Sequence, residues 1–310
     1  MNKKLKISSI LNNAESLPDI FKFYEQKFPE KNFLYKKENG EWVGKSFKEL
    51  NLNIERIITF LKKLKIKKGD RVFLLSSNRI EWVEFDLAIM SIGAITVPSF
   101  VTNNINDNQF IINDCKPKLI IIENHFVYEE NKKFLRKLKN SKTILIEKNK
   151  KFYNYNQIIS KIHGPKNTPK INQKDISTII YTSGTSNNPK GVVLSHESLI
   201  HNLDAALELI NQFEIEDERF LSFLPLSHSY ERMAGLYFPL LIGAEIFFCT
   251  SLEKLLNEIK EVKPTIVSAV PRLYENIYKK IKSRANKSGA IMNFILKNIF
   301  KYVDDYKKKI

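Results

Sequence analysis

The chain has 310 residues, of which 43% are apolar and 27% charged, with 10 glycines and 11 prolines. This composition supports a folded core and excludes a collagen-like, low-complexity or wholly disordered chain. The formal net charge is +16, and 42 of the 50 basic residues are lysines scattered along the chain. Such a surface lacks the arginines and interleaved aromatic residues of a nucleic-acid-binding motif, so we expect no nucleic-acid partner.

The two cysteines, Cys115 and Cys249, are far apart in sequence and have no neighbouring histidine pairs. Their spacing predicts neither a disulfide scaffold nor a structural zinc site. No apolar run reaches the ~18 to 20 residues that a membrane-spanning helix needs. The segment Met1–Ile10 is basic but lacks the apolar block of a secretory signal. We therefore expect a cytoplasmic protein.

Short apolar runs rich in branched residues predict buried strands. In chain order these runs are Val72–Leu75, Leu119–Ile122, Thr143–Ile146, Thr178–Tyr181, Phe220–Leu224, Glu245–Cys249 and Thr265–Val270. Helical spacing separates several of them, as in the segment Arg79–Ile92. The apolar residues that share one face of this predicted helix are Trp82, Phe85, Ile89 and Ile92. The alternation predicts an α/β fold with layered, largely parallel sheets flanked by helices, whose ligands bind beyond the carboxyl ends of strands.

The polar stretch His163–Lys170, which contains a glycine and two prolines, predicts a linker between two lobes. We expect a first α/β lobe at residues 1–165 and a second α/β lobe at residues 166–310 that ends in a basic helical segment. Within the second lobe, Ile277–Ile310 carries ten basic and two acidic residues. Its part Ile291–Val303 has an apolar stripe, which either packs against the protein or lies on an anionic lipid surface.

The most informative segment, from Tyr181 to Gly191, follows a predicted strand and reads Tyr-Thr-Ser-Gly-Thr-Ser-Asn-Asn-Pro-Lys-Gly. Hydroxyl side chains, a small residue and Lys190 in one loop suit a polyphosphate ligand. The segment is not a P-loop, because Pro189 stands at the second glycine position of G-x-x-x-x-G-K-[ST] and Gly191 replaces the hydroxyl residue. From composition alone, an ordinary turn is an equally good interpretation.

The loop resembles the signature Tyr-Thr-Ser-Gly-Thr-Thr-Gly-x-Pro-Lys-Gly of the AMP-forming, adenylate-forming ligases. It differs at Ser186, which keeps the hydroxyl group, and at Asn187, which replaces a glycine and enters left-handed backbone geometry more readily than most residues. Further segments, in the same order along the chain, resemble those of long-chain acyl-CoA synthetases. They are Gly69–Val72, Ser76–Trp82, Ala88–Pro98, Leu224–Arg232 and Val270–Ile277.

The resemblance implies a ligase that uses ATP, Mg²⁺ and coenzyme A to convert a fatty acid into an acyl-adenylate and then into an acyl-CoA. The residues that it implies for cofactor binding are Thr182, Ser183, Gly184, Thr185, Ser186 and Lys190, and all of these except Thr182 are expected to hold the β- and γ-phosphates of ATP. It also implies a metal contact for Thr182 and catalytic roles for Lys190 and His228. His228 is expected to position the substrate and not to act as a base, because the adenylate already has a good leaving group. A hydrogen-bonded structural histidine is the alternative.

Other residues are expected to have structural roles. Glu231 and Arg232 are expected to form a local ion pair. Ser195 precedes a helical pattern with an acidic first turn, which predicts a helix cap and makes His196 structural. The apolar run Leu236–Phe248 is expected to line the core near the acyl site.

The resemblance covers only the first part of such a ligase. The family's later elements do not occur before residue 310: a Tyr-Gly-x-Thr-Glu segment, a ribose-binding aspartate, and a small C-terminal domain with a catalytic lysine. Because catalysis depends on contacts that act together, we predict negligible ligase activity for this polypeptide alone. The alternative hypothesis is a non-catalytic membrane-surface or binding module with a degenerate ligase fold, which touches the inner face of the membrane through Ile277–Ile310.

Overall fold

The computed structural model describes residues 3–138, 141–161, 168–182, 188–210, 213–214, 216–271, 273, 275 and 278–279. The chain divides into two compact units, residues 1–267 and 268–310. All the elements named below lie in the first unit.

The strands in the described ranges are β1 (Asn32–Glu38), β2 (Glu41–Ser46), β3 (Arg71–Leu75), β4 (Ile95–Ser99), β5 (Leu119–Ile122), β6 (Lys142–Leu145), β7 (Ile176–Thr182), β8 (Lys190–Ser195), β9 (Arg219–Ser222) and β10 (Glu245–Phe248). The helices are α1 (Lys3–Asn13), α2 (Leu17–Lys27), α3 (Phe47–Lys63), α4 (Ile80–Ser91), α5 (Ile105–Cys115), α6 (His125–Leu135), α7 (Tyr155–Lys161), α8 (His196–Leu209), α9 (Ser229–Glu231), α10 (Phe238–Ile242) and α11 (Leu255–Val262). A π-helical turn, Arg232–Tyr237, joins α9 to α10.

The strands form two sheets, with the orders β2-β1-β10-β9 and β6-β5-β3-β4-β7-β8. In the six-stranded sheet, β8 is antiparallel to β7 and the other neighbours are parallel. In the four-stranded sheet, only β2 is antiparallel to its neighbour. The predicted α/β fold with largely parallel sheets is therefore confirmed. Each sheet combines strands from both sides of residue 165, and the lobe boundary predicted there lies outside the described residues and stays a prediction.

The central strands β3, β4 and β5 of the six-stranded sheet are buried on both faces, so their alternate side chains enter two different cores. In β3, Val72 and Leu74 join a core shared with α2, α3, α4 and the four-stranded sheet. The alternate residues Phe73 and Leu75 join a second core with α5 and α6. The sheet is therefore the middle layer of the first unit, and its strand ends are the places where the chain can present polar groups.

One sequence prediction about elements needs correction. The segment Thr265–Val270 is not a strand, because its only ladder contact among the described residues is a bridge between Ile266 and Phe220. The helix predicted within Arg79–Ile92 is observed as α4, but its burial extends beyond the predicted apolar face, since Glu84 and Asp86 are as buried as Trp82. Helix α4 contacts α2, α3, β1 and β4, so it lies inside the protein and buries every face.

Candidate functional site

Strands β7 and β8 form a hairpin at one edge of the six-stranded sheet. Thr182, the last residue of β7, pairs with Lys190, the first residue of β8. Strand β7 runs parallel to β4, with Thr178 opposite Thr96. The loop end of the hairpin therefore lies at the carboxyl edge of the parallel strands, where ligands of open α/β sheets bind.

Thr182 and Lys190 flank the predicted phosphate loop, residues 183–189, and both are exposed. In the part of the chain that the structure describes, the Lys190 amine has no carboxylate partner. An unpaired ammonium opposite a hydroxyl is a donor set that fits a phosphate oxygen. The predicted phosphate-binding residues Ser183, Gly184, Thr185 and Ser186 lie outside the described residues, and their roles stay predictions.

Tyr181, the residue before Thr182, is buried. The Tyr181 hydroxyl donates a hydrogen bond to Asp114 of α5, and burial together with this bond raises the pKa of Tyr181. A Cβ atom at Gly191 would lie 3.0 Å from Ile179 Cγ2 and 3.1 Å from Tyr181 Cζ. Tyr181 is therefore a packing residue at the strand end, and Gly191 lets β8 approach it closely.

His228 lies in an exposed turn between β9 and α9. Its Nδ1 atom accepts a hydrogen bond from the Tyr230 backbone N–H at 3.1 Å, so the ring caps α9. The ring centroid lies 6.5 Å from that of Phe100, which follows β4. Ser227 Oγ donates to the Ser99 carbonyl oxygen at 2.9 Å. His228 thus lies beyond the end of β4, the strand next to β7, so it shares the carboxyl edge with the hairpin.

Asn78 holds this turn in place, a role that sequence reasoning did not assign. Its Nδ2 group donates to the Leu224 carbonyl oxygen at 2.7 Å, and its Oδ1 atom accepts from the Leu226 backbone N–H at 2.8 Å. One side-chain amide therefore satisfies two backbone groups of the segment Leu224–Leu226. An asparagine after a buried strand was the available signal, because its amide both donates and accepts.

The predicted helix cap is confirmed: Ser195 Oγ accepts a hydrogen bond from the Ser198 backbone N–H, and Glu197 lies in the first turn of α8. His196 is fully buried, and its Nδ1 atom accepts from the Leu17 backbone N–H at 3.4 Å. Burial lowers the pKa of His196 to about 4. A neutral, buried imidazole that contacts α2 supports the predicted structural role.

Arg232 has a different carboxylate partner from the one predicted. Its guanidinium pairs with Asp86 of α4 and donates from Nη1 to Thr178 Oγ1 at 2.7 Å. The Tyr237 hydroxyl donates to the second Asp86 oxygen at 2.7 Å. Glu231 instead accepts from Ser222 Oγ at 2.7 Å. All these side chains are buried, so they form a polar cluster inside the first unit.

A separate cationic cleft of about 790 Å³ lies at the opposite, amino edge of the six-stranded sheet. Arg71 in its wall donates to the Cys115 and Gly69 carbonyl oxygens, and Lys118 pairs with Asp70. Two of its cations are therefore engaged by the protein itself.

The residues of the described ranges contain no cluster of three or more metal-binding side chains, and no helix among them has the length and apolarity to cross a bilayer.

A family model described as "AMP-binding enzyme" matches residues 21–297. Because this match covers most of the chain, the chain belongs to the AMP-binding enzyme family. The sequence resemblance to adenylate-forming ligases is thereby confirmed.

Known proteins share both the sequence pattern and the fold. The chain is 27% identical over 316 residues to long chain acyl-CoA synthetase 3 of Arabidopsis thaliana, a match that covers 94% of this chain and 46% of that protein. It is 28% identical over 298 residues to the long-chain-fatty-acid–CoA ligase ACSBG2 of Gallus gallus, covering 89% of this chain and 39% of the relative. The chain therefore spans less than half the length of each of these two relatives.

Among solved structures, a fatty acyl-adenylate ligase from L. pneumophila, in complex with acyl adenylate and pyrophosphate, matches with a TM-score of 0.68 at 23% identity. The match covers 84% of this chain and 45% of that one. At this level of identity the likeness shows a common fold.

Proposed function

We propose that this chain carries the phosphate-binding half of an AMP-forming ligase that activates long-chain fatty acids for transfer to coenzyme A. The observation that carries the proposal is the Thr182–Lys190 pair at the carboxyl edge of the sheet. It puts a hydroxyl and an ammonium that has no carboxylate partner among the described residues at the base of a hydroxyl-rich loop. Membership of the AMP-binding family supports ATP as the nucleotide. The names of the relatives support a fatty acid as the acyl substrate.

In the proposed reaction, a carboxylate oxygen of the fatty acid displaces pyrophosphate from the α-phosphorus of ATP. The thiolate of coenzyme A then displaces AMP from the acyl carbon. Lys190 supplies positive charge where pyrophosphate departs, with Ser183, Thr185, Ser186 and the backbone of Gly184 as further donors. Bound Mg²⁺ would neutralise part of the phosphate charge, and Thr182 is the residue that we propose as its protein contact.

His228 is proposed as a positioning group between the acyl and thiol substrates. Its Nδ1 atom already accepts a backbone hydrogen bond, which leaves Nε2 as the nitrogen that can face a ligand. With Nδ1 as acceptor, the neutral ring carries its proton on Nε2 and can only donate there. This argues for orientation of a carbonyl or phosphate oxygen and against proton abstraction.

The test compares this chain with the product of the complete reading frame that contains it. Fatty-acid-dependent exchange of pyrophosphate into ATP should be negligible for residues 1–310 alone. It should be present for the complete product with at least one long-chain acid. Hydroxylamine trapping of the adenylate is the second readout. Absence of exchange with every carboxylate tried would rule out the proposed activity.

Peripheral contact with the inner face of the membrane, within a cytoplasmic location, is the second proposal. Its support is the sequence of Ile277–Ile310, most of which lies outside the described residues, with ten basic and two acidic side chains. Co-sedimentation with anionic vesicles should fall when this segment is deleted and should also fall at high salt. Unchanged co-sedimentation after the deletion would contradict the proposal.

A further inference from the structure

The two sides of the candidate site are linked by one buried side chain. Arg232 follows α9, and its backbone N–H donates to the His228 carbonyl oxygen at 3.0 Å. Its Nη1 atom reaches Thr178 of β7 at 2.7 Å. Thr178 lies on the strand that ends at Thr182, where the phosphate loop begins. The guanidinium therefore connects the His228 turn to the strand that carries the loop.

Thr178 is held on both sides. Its hydroxyl accepts from Arg232 and donates to the Thr96 carbonyl oxygen at 2.7 Å. The guanidinium itself is fixed by Asp86, which also accepts from Tyr237. A planar guanidinium with two simultaneous partners sets a direction as well as a distance, which a lysine ammonium cannot do. The His228 turn, α4 and β7 are thus connected through one rigid group.

We propose that Arg232 is a positioning residue, which fixes the His228 turn relative to the Thr182–Lys190 end of the β7–β8 hairpin. The catalytic role of this link rests on the proposed function, in which His228 and Lys190 act in the same reaction. The link itself is a property of the chain as described. Buried ion pairs often add little net stability, and one of their better-attested uses is to specify a single arrangement of the elements that they join.

The obvious variants of Arg232 do not give a clean test. Replacing Arg232 leaves Asp86 charged and buried without its cation, and the protein is then expected to unfold. Thr178→Val is gentler, because valine has nearly the same shape and removes only the hydroxyl group. Thr178→Ser keeps the hydroxyl and serves as the rescue variant.

The chain also provides a matched control at the paired position of the next strand. Thr96 lies opposite Thr178 in the β4–β7 ladder and is equally buried. Its own hydroxyl has no hydrogen-bond partner in the described part of the chain. Thr96→Val therefore makes the same chemical change one strand away without breaking the link.

The experiment is hydrogen exchange of backbone amides in the full 310-residue chain. Thr178→Val should raise exchange about tenfold or more both at the loop end of the hairpin, Thr182 and Lys190, and in the His228 turn. Amides of β5 should stay as protected as in the wild type, which separates loss of the link from general destabilisation. Thr178→Ser and Thr96→Val should leave both segments unchanged.

The proposal is overturned if Thr178→Val affects only one of the two segments, or if Thr96→Val has the same effect. A uniform rise that includes β5 would also overturn it, because the bond would then be merely structural. In the complete product, Thr178→Val should lower kcat for pyrophosphate exchange about tenfold with little change in KM for ATP, and Thr178→Ser should restore it. A wild-type product without exchange would reject the proposed function, while the hydrogen-exchange result would still decide the link.

Discussion

Thr182 and Lys190 face each other across the last pair of the β7–β8 hairpin. This register places the start and the end of the predicted phosphate loop side by side, so the loop is flanked by a pair of residues that are both exposed. Because β-pairing fixes the backbone on either side, the lysine position is determined by the sheet even though the loop between them is rich in small polar residues. The sheet therefore presents a positive charge at a defined point of its carboxyl edge.

Lys190→Ala should weaken binding of magnesium pyrophosphate to the chain by about tenfold or more, since charge-assisted bonds to phosphate are worth roughly 1.5 to 3 kcal/mol. The measurement is isothermal titration calorimetry. Lys174→Ala removes another exposed lysine near the start of β7 and should leave the affinity unchanged. Equal losses in the two variants would indicate a general charge effect and contradict a specific role for Lys190.

Asn78→Asp should destabilise the chain more than Asn78→Ala. The aspartate would put a negative oxygen beside the Leu224 carbonyl, to which Asn78 donates at 2.7 Å. The alanine only leaves two backbone groups without partners, at a cost of about 1 to 3 kcal/mol. Chemical denaturation of both variants checks the order. A smaller effect for aspartate than for alanine would show that the amide does not hold the turn.

Gly235→Ala should lower the free energy of unfolding by about 1 to 3 kcal/mol. A Cβ atom at Gly235 would lie 2.3 Å from Glu231 Oε1 and 2.5 Å from Glu231 Cδ. The Glu231 carboxylate is fully buried and bonded to Ser222, so it has no solvent-exposed position to move into.

A double-mutant cycle with Glu231→Ala checks this cause. Truncation of Glu231 makes room for the new methyl group, so the double variant should be less destabilised than the sum of the two single variants. Strict additivity would show that the cost at Gly235 arises elsewhere.

His196 should make stability depend on pH between about 6.5 and 4. Burial lowers the pKa of His196 from 6.5 to about 4 in the folded chain, so below pH 6.5 the unfolded chain takes up a proton that the folded chain excludes. The contribution is fully present above pH 6.5 and is lost towards pH 4, by roughly 3 kcal/mol in total.

His196→Asn should flatten this part of the profile of unfolding free energy against pH. His201→Asn, on the exposed side of the same helix, is the matched control and should leave the profile unchanged. An identical slope in wild type and His196→Asn would refute the assignment.

Sequence patterns predicted β3 and β5, which are buried on both faces, but missed β4, which is buried at every residue. Leu119–Ile122 matches β5 at both ends, because a short run of branched apolar residues between polar segments suits a strand that is buried on both faces. The β1–β2 hairpin was missed, although Asn39–Gly40 is a two-residue turn signal. Both residues have positive φ, 50° and 91°, as that turn requires. Polar residues on the solvent side of β1 and β2 hid the strand pattern.

The loop composition and the resemblance identified the edge of the sheet that carries the candidate site. They did not identify the buried side chains that hold the site in place. Asp86 lies in an apolar helical segment, and a charged residue there predicts a buried partner. Its partner, Arg232, is 146 positions away in sequence, so no local pattern could pair them. The preference for a Glu231–Arg232 pair followed from adjacency along the chain, whereas the fold brings α4 closer to the guanidinium.

The most direct test of nucleotide binding at the β7–β8 hairpin is a residue-resolved titration of the isotope-labelled chain with MgATP, followed by backbone amide NMR. We expect saturable shifts at Thr182, Lys190 and Gly191, at the loop end of the hairpin. Shifts confined to the cationic cleft at the amino edge, around Lys116 and Lys142, would contradict it, as would a folded chain that shows no shifts at millimolar nucleotide.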